Sequence, residues 1–198
     1  MSFRNVFLSF WNFYFIVAEN WFEFNSPYVI FIQMISLVMG GFFKMDVIQP
    51  VHDAQQIIEV IHAAFKRYEA DTMPSSALVE TEKTIESELQ QGVLIFGAYV
   101  NQQLVGVIKV LQQKDYFYFS RLSVLPSFQG KGIASALIDY IETRALQEEI
   151  LYVRCKVRKS ETNNIRLYKK LGYGITNEEL TTSPTGFVMA TVTMDKAI

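Results

Sequence analysis

Between Arg121 and Ser135 the chain reads Arg-Leu-Ser-Val-Leu-Pro-Ser-Phe-Gln-Gly-Lys-Gly-Ile-Ala-Ser. An apolar strand pattern breaks at Pro126, passes through a loop holding Gly130, Lys131 and Gly132, and enters a strongly periodic helix. The backbone N–H groups of such a loop, together with a helix N-terminus, form an anion site. Glycines carry no Cβ, so the backbone there can approach a ligand closely, and Lys131 adds a positive charge beside them. The chemistry is that of a site for a phosphorylated cofactor. Two familiar phosphate motifs do not describe it. A P-loop requires G-x-x-x-x-G-K-[ST], and Gly132 is followed by Ile133. A dinucleotide fingerprint is nearly met by Gly130, Gly132 and Ser135, but this unit lies late in the chain, after an antiparallel hairpin.

The other reactive residue types are few. Cys155 is the single cysteine, so no internal disulfide forms, which fits a reducing compartment. His52 and His62 have no paired Cys/His spacing, no metal site can be read, and His62 is expected on a helix surface. The net charge of −2 does not indicate a general affinity for nucleic acid.

Positioning the loop falls to an alternating pattern that starts at Met45. Met45–Val51 is a short strand ended near Pro50, and Asp53 caps a helix to Tyr68 with Ile57, Ile58, Ile61, Phe65 and Tyr68 on one face. A linker holding Pro74, Ser75 and Ser76 leads to a second helix from Thr81 to about Gln91, with Ile85 and Leu89 inward. Val93–Val100 and Leu104–Leu111 read as a hairpin turning at Asn101-Gln102, with Gly97 and Gly106 as bulges or close approaches. Tyr116–Leu125 alternates Tyr116, Tyr118, Ser120, Leu122 and Val124 against Phe117, Phe119, Arg121, Ser123 and Leu125; both faces are apolar, so the strand is expected to be central. A helix from Gly132 to Gln147, a strand Ile150–Lys156, a helix Asn163–Leu171 started by Ser160 or Thr162 and stopped by Gly172, and strands Tyr173–Thr176 and Phe187–Met194 complete the order β-α-α-β-β-β-α-β-α-β-β.

Residues 1–44 are a different material. They hold half of the aromatic residues, both tryptophans included, and only Arg4, Glu19, Glu23 and Lys44 are charged. The apolar runs Val6–Ala18 and Tyr28–Phe43 are each shorter than the ~20 residues of a spanning helix. The segment reads as a membrane anchor or surface hairpin, as an extra layer of the fold, or as upstream DNA translated in error with synthesis starting at Met45. The third is preferred. Gly40-Gly41 codons can hold a purine-rich ribosome-binding sequence, Phe42-Phe43-Lys44 supplies the spacer, and Phe-rich translation is what A/T-rich intergenic DNA yields. The expected division is an apolar extension over 1–44 and a functional domain over 45–198.

Leu122-Ser123-Val124-Leu125-Pro126-Ser127-Phe128-Gln129-Gly130-Lys131-Gly132-Ile133-Ala134 closely resembles the acetyl-CoA motif of the GNAT superfamily of N-acetyltransferases, whose pattern is Q/R-x-x-G-x-G/A. A second signature, a helix tyrosine followed by Gly and an aromatic, matches Leu167-Tyr168-Lys169-Lys170-Leu171-Gly172-Tyr173. The resemblance covers roughly 45–195 and implies an α/β (α+β) fold with a mixed, mostly antiparallel central sheet flanked by helices. It implies a cytoplasmic acyltransferase, monomer or homodimer, that moves an acetyl group from acetyl-CoA to a primary amine of a small molecule or peptide, without a metal. The backbone of Gln129, Gly130, Lys131, Gly132, Ile133 and Ala134 would hold the pyrophosphate. Leu122, Ser123 and Val124 would run along the pantetheine arm, with the Val124 N–H on the acetyl carbonyl. Tyr168 would protonate the departing thiolate, and Asn164 would touch the cofactor; spacing alone would leave Tyr168 a packed helix tyrosine.

Two positions depart from the family pattern. Ser120 stands where many relatives carry a basic glutamate, and Glu161 stands where they often carry an asparagine. The general base is therefore open among water, Ser120 and Glu80. An acetyl-Cys155 intermediate has no support, and a non-catalytic acyl-CoA-binding module on the same fold is the alternative function. The acceptor pocket is expected from Phe65 to Glu82, the face of Tyr116 and Tyr118, and Thr181 to Phe187.

Overall fold

The computed structural model describes residues 45–183 and 186–198; the readings made for Met1–Lys44 lie outside the described residues. Seven strands form one sheet: β1 (Val47–Pro50), β2 (Leu94–Val100), β3 (Gln103–Gln112), β4 (Tyr116–Val124), β5 (Tyr152–Arg158), β6 (Gly174–Thr182) and β7 (Val188–Ala197), in the spatial order β1-β2-β3-β4-β5-β7-β6. All neighbours are antiparallel except β4 and β5. Among the described residues four α-helices accompany it: α1 (Ala54–Phe65), α2 (Glu82–Gln90), α3 (Ile133–Gln147) and α4 (Thr162–Lys170). This is the mixed, mostly antiparallel sheet and the element order expected from the sequence.

Local chemistry sets most of the boundaries. Asp53 caps α1 by accepting from the Gln56 N–H, and Thr81 and Thr84 form a reciprocal capping box on α2. Asn101 and Gln102, at φ of 49° and 64°, make the tight β2–β3 turn. The two strand glycines mark close approaches. A Cβ on Gly97 would lie 2.4 Å from both Leu104 and Val51 side-chain carbons, and one on Gly106 would lie 3.0 Å from Ile133.

Alternation along β3 separates the two layers. Val107 joins the cluster of Val51, Ile57, Ile61, Ala77, Ile85 and Ile95 that packs α1 and α2 on one face. Its neighbour Gly106 faces Ile133 and Leu137 of α3 on the other. The apolar stripe of α3, Ile133, Leu137, Ile138, Ile141 and Ala145, is fully buried there.

β6 runs longer than the sequence pattern indicated, to Thr182 rather than Thr176. It is an edge strand paired only with β7, and nearly all its residues are exposed. A strand that buries no face carries no hydrophobic period to read.

Candidate active site

β4 pairs with β5 only from Tyr116/Tyr152 to Phe119/Cys155. Beyond that point β4 continues to Val124 against β3, while β5 continues to Arg158 against β7. Two parallel neighbours thus part, and a V-shaped opening forms with Phe119 and Cys155 at its apex.

The open arm of β4 does not keep the two-residue alternation expected of it. Lys109 of β3 pairs with Ser120, and Val107 already pairs with Ser123, so β4 holds one extra residue there. This is a β-bulge. Arg121 sits in it at φ +50°, a left-handed conformation costing about 1–2 kcal/mol for a residue with a Cβ. Arg121 therefore does not share a face with Phe119, whose ring packs against Tyr168 and Tyr173. Its Nε donates to Glu80 Oε1 at 2.7 Å and its Nη2 to Ser76 Oγ at 3.0 Å. The buried Ser123 hydroxyl donates to the Arg121 carbonyl at 3.0 Å. The Ser123 side chain is thus turned inward, and only its backbone is offered to the opening. Leu122 is half-buried and Val124 buried.

After β4 the chain turns through a short 3-10 segment, Pro126–Phe128. The Gln129 N–H closes that segment on Pro126 O at 3.3 Å, and its side-chain amide donates to the Val124 carbonyl at 3.0 Å. Gln129 therefore braces the strand end more than it offers its own N–H to a ligand. Gly130 and Gly132 both take positive φ, 74° and 83°, and nothing lies within 4 Å of where their Cβ atoms would be. Gly132 is the N-cap of α3 and no side chain caps that end, so the first-turn N–H groups of Ile133 and Ala134 have no partner within the helix. The Lys131 ammonium lies 4.9 Å from the centre of the Phe128 ring.

α4 closes the other side. Glu161, rather than Ser160 or Thr162, is its N-cap, and its side chain makes no capping bond. Asn164, one turn further along, is half-buried. Tyr168 is buried, with its ring 5.5 Å from Phe119 in an edge-on contact and 6.1 Å from Tyr173. No hydrogen bond to its hydroxyl occurs among the described residues. Burial pushes this phenol well above its ordinary range, so it keeps its proton. Tyr168 thus reaches the apex of the opening from α4, while Leu122–Val124 and the loop lie along the β4 arm. Tyr173, held by Glu142 at 2.9 Å, buttresses the same aromatic cluster.

The segment between α1 and α2 crosses from the β4 side to the β5 side. Tyr68 donates to Glu161 Oε2 at 2.7 Å, and Arg158 donates to the carbonyls of Met73 and Pro74 at 2.7 and 3.0 Å. Burial, followed by the Glu161 bond, pushes the Tyr68 phenol up to about 12. These contacts were not legible in the sequence, because they join residues more than eighty positions apart.

Glu80 is corrected as a candidate base. One oxygen takes Arg121 and the other takes Lys109 Nζ at 2.8 Å, so both oxygens are engaged in ion pairs that compete with an incoming amine. Lys109 is 3 % exposed, and its charge is balanced by Glu80 and by Glu88 at 2.5 Å. His62 is also more than a surface residue: its Nε2 bonds the Glu80 carbonyl at 3.0 Å. A lysine amid the apolar residues of β3 was the signal for this network. Cys155 lies in β5 with its thiol pushed by burial up to about 12, so it is not a nucleophile.

Residues 57–173 match the profile of the Acetyltransferase (GNAT) family. A streptothricin acetyltransferase from Escherichia coli is 29% identical over 91 residues, which is 46% of this chain and 52% of that protein; the chain spans about half the length of this curated relative. Among solved structures, the PaiA N-acetyltransferase from Thermoplasma acidophilum in complex with coenzyme A superimposes with a TM-score of 0.64 at 18% identity, covering 78% of this chain and 99% of that one. The ribosomal-protein-S18-alanine N-acetyltransferase from Escherichia coli gives 0.63 at 18% identity, covering 77% and 93%. These two likenesses are of fold. With the family match extending over more than half of its length, the chain belongs to the acetyltransferase (GNAT) family.

Proposed function

We propose that residues 45–198 transfer an acetyl group from acetyl-CoA to a primary amine. One observation carries the reading: a strand opening is flanked on one arm by an uncapped helix N-terminus with two left-handed glycines, and at its apex by a buried tyrosine whose hydroxyl makes no hydrogen bond among the described residues. The site fits a CoA thioester. The N–H groups at the start of α3 suit a pyrophosphate, Lys131 adds charge, and the empty space over Gly130 and Gly132 admits the ligand.

Acetyl-CoA supplies an activated acyl carbonyl when bound. The chain's own groups do the rest. The backbone of Leu122–Val124 lines the arm along which the thioester extends, and the Val124 N–H stabilises negative charge growing on the acyl oxygen. Gln129, by donating to the Val124 carbonyl, holds the next peptide unit and so braces the end of the strand. Tyr168 holds a proton at neutral pH, as burial favours the neutral phenol, and releases it to the sulfur as the C–S bond breaks. Asn164 faces the cofactor from α4. The amine gives up its own proton to water or Ser120, since Glu80 is occupied.

The acceptor is read as a cationic amine. The streptothricin acetyltransferase similarity and the Tyr68–Glu161 pair at the crossing segment support this. Thiol release should be measured over a panel of streptothricin, other amine antibiotics, polyamines, amino acids and peptides. Acceptor-dependent release establishes transfer; CoA binding without release by any amine would make the chain a binding module instead.

A further inference from the structure

Arg121 has properties that the acetyl-transfer reading does not use. Four described residues other than glycine have positive φ: Asn101, Gln102, Arg121 and Glu149. Asn101 and Gln102 form the β2–β3 turn and Glu149 follows the end of α3, whereas Arg121 lies inside a strand. An arginine has no local side-chain bond that favours this conformation, unlike asparagine, so tertiary contacts must hold it there. Three are present. The guanidinium binds Glu80 at 2.7 Å and Ser76 at 3.0 Å, and the Ser123 hydroxyl binds the Arg121 carbonyl. The anchor is itself fixed, because Glu80 is bound by buried Lys109 through its second oxygen and by His62 through its carbonyl.

The bulge matters because side chains along a strand change face with every residue. Losing the extra residue from the register would send Leu122, Ser123 and Val124 to the opposite faces.

We propose that Arg121 and Glu80 are positioning residues for acyl transfer: their ion pair holds the β4 bulge, and the bulge aims the Leu122–Val124 backbone into the opening between β4 and β5. The same pair ties this strand to the segment between α1 and α2. The inference rests on the acetyl-transfer reading and adds to it two charged residues that act through the strand they hold.

The test compares R121A, R121G and E80Q with the wild type, using full chains whose folding is checked by circular dichroism. CoA affinity is measured by calorimetry and kcat is measured with acetyl-CoA and the best amine of the panel. The pyrophosphate loop is untouched, so CoA Kd should stay within about threefold in all three, while kcat of R121A and E80Q falls at least about tenfold. R121G adopts φ +50° without penalty, so it should recover at least about threefold over R121A although it lacks the guanidinium. R121A with unchanged kcat, or R121G no faster than R121A, overturns the proposal. If R121A does not fold, E80Q decides: wild-type kcat there overturns the proposal, and a fall with CoA affinity kept supports it. A wild type that transfers normally while the variants fail these comparisons overturns this inference alone. A wild type that does not bind CoA overturns the transfer reading and this inference together.

Discussion

Removing the Glu80 carboxylate should cost far more stability than removing the lysine it neutralises. Lys109 is 3 % exposed and Glu80 10 %, whereas Glu88, the second partner of Lys109, is 31 % exposed. In Glu80→Ala the ammonium of Lys109 stays buried with one half-solvated partner, and Arg121 keeps only Ser76. Breaking a buried pair from one side costs about 3–5 kcal/mol, because an uncompensated charge remains. In Lys109→Met the outcome differs. Glu80 keeps Arg121, Glu88 turns to water, and an apolar side chain fills a place between buried Ile108 and Val110. That exchange should fall within about 1 kcal/mol of neutral. For a domain of this size 1 kcal/mol moves Tm by about 2–4 °C, so Glu80→Ala should melt about 6–20 °C lower and Lys109→Met within about 4 °C of the wild type. Thermal unfolding followed by circular dichroism at pH 7 measures both. Equal losses in the two variants, or a Glu80→Ala shift under about 3 °C, would show that the network is not the buried, asymmetric one described here.

Tyr168→Phe removes a hydroxyl that makes no hydrogen bond among the described residues, so stability should hold while kcat falls about 10²-fold or more with CoA affinity kept, as steady-state kinetics and calorimetry will show. Gly132→Ala meets no atom within 4 Å but must hold φ +83°, costing about 1–2 kcal/mol of strain; CoA affinity should drop further than this, because the new Cβ points into the space given to the ligand. Cys155 should resist thiol reagents at pH 8 until the chain is unfolded in denaturant, since its thiol is buried and held up to about 12. The bond from Arg154, with Thr176 assisting, holds Asp195 below the usual carboxylate range. A depressed native pKa gives stability that is present above the unfolded value near 4 and is lost as pH falls through the native one. Asp195→Asn should therefore flatten the acid limb of a Tm-against-pH curve.

The elements were largely legible because each announces itself over a few residues. Asp53 and Thr81 mark helix starts through their own side chains, Gly172 marks a helix stop at φ 94°, and the buried stripe of α3 recurs at helical spacing. The full length of β6 escaped because an exposed edge strand has no apolar period. The β4 bulge escaped for a different reason. Nothing between Tyr116 and Leu125 departs from alternation, and the extra residue exists only against the register of β3.

The sequence alone determined the order of elements and the glycine loop at the start of α3, because these rest on local backbone preferences and on a linear motif. Tertiary structure decided what those parts do together. It parted β4 from β5 beyond Phe119, placed Tyr168 at the apex of the gap, and turned Arg121 toward Glu80. It also removed Glu80 from the candidate bases and gave it a charge network instead. A carboxylate looks the same in sequence whether it meets an amine substrate or two cations 41 and 29 residues away; only packing chooses between them.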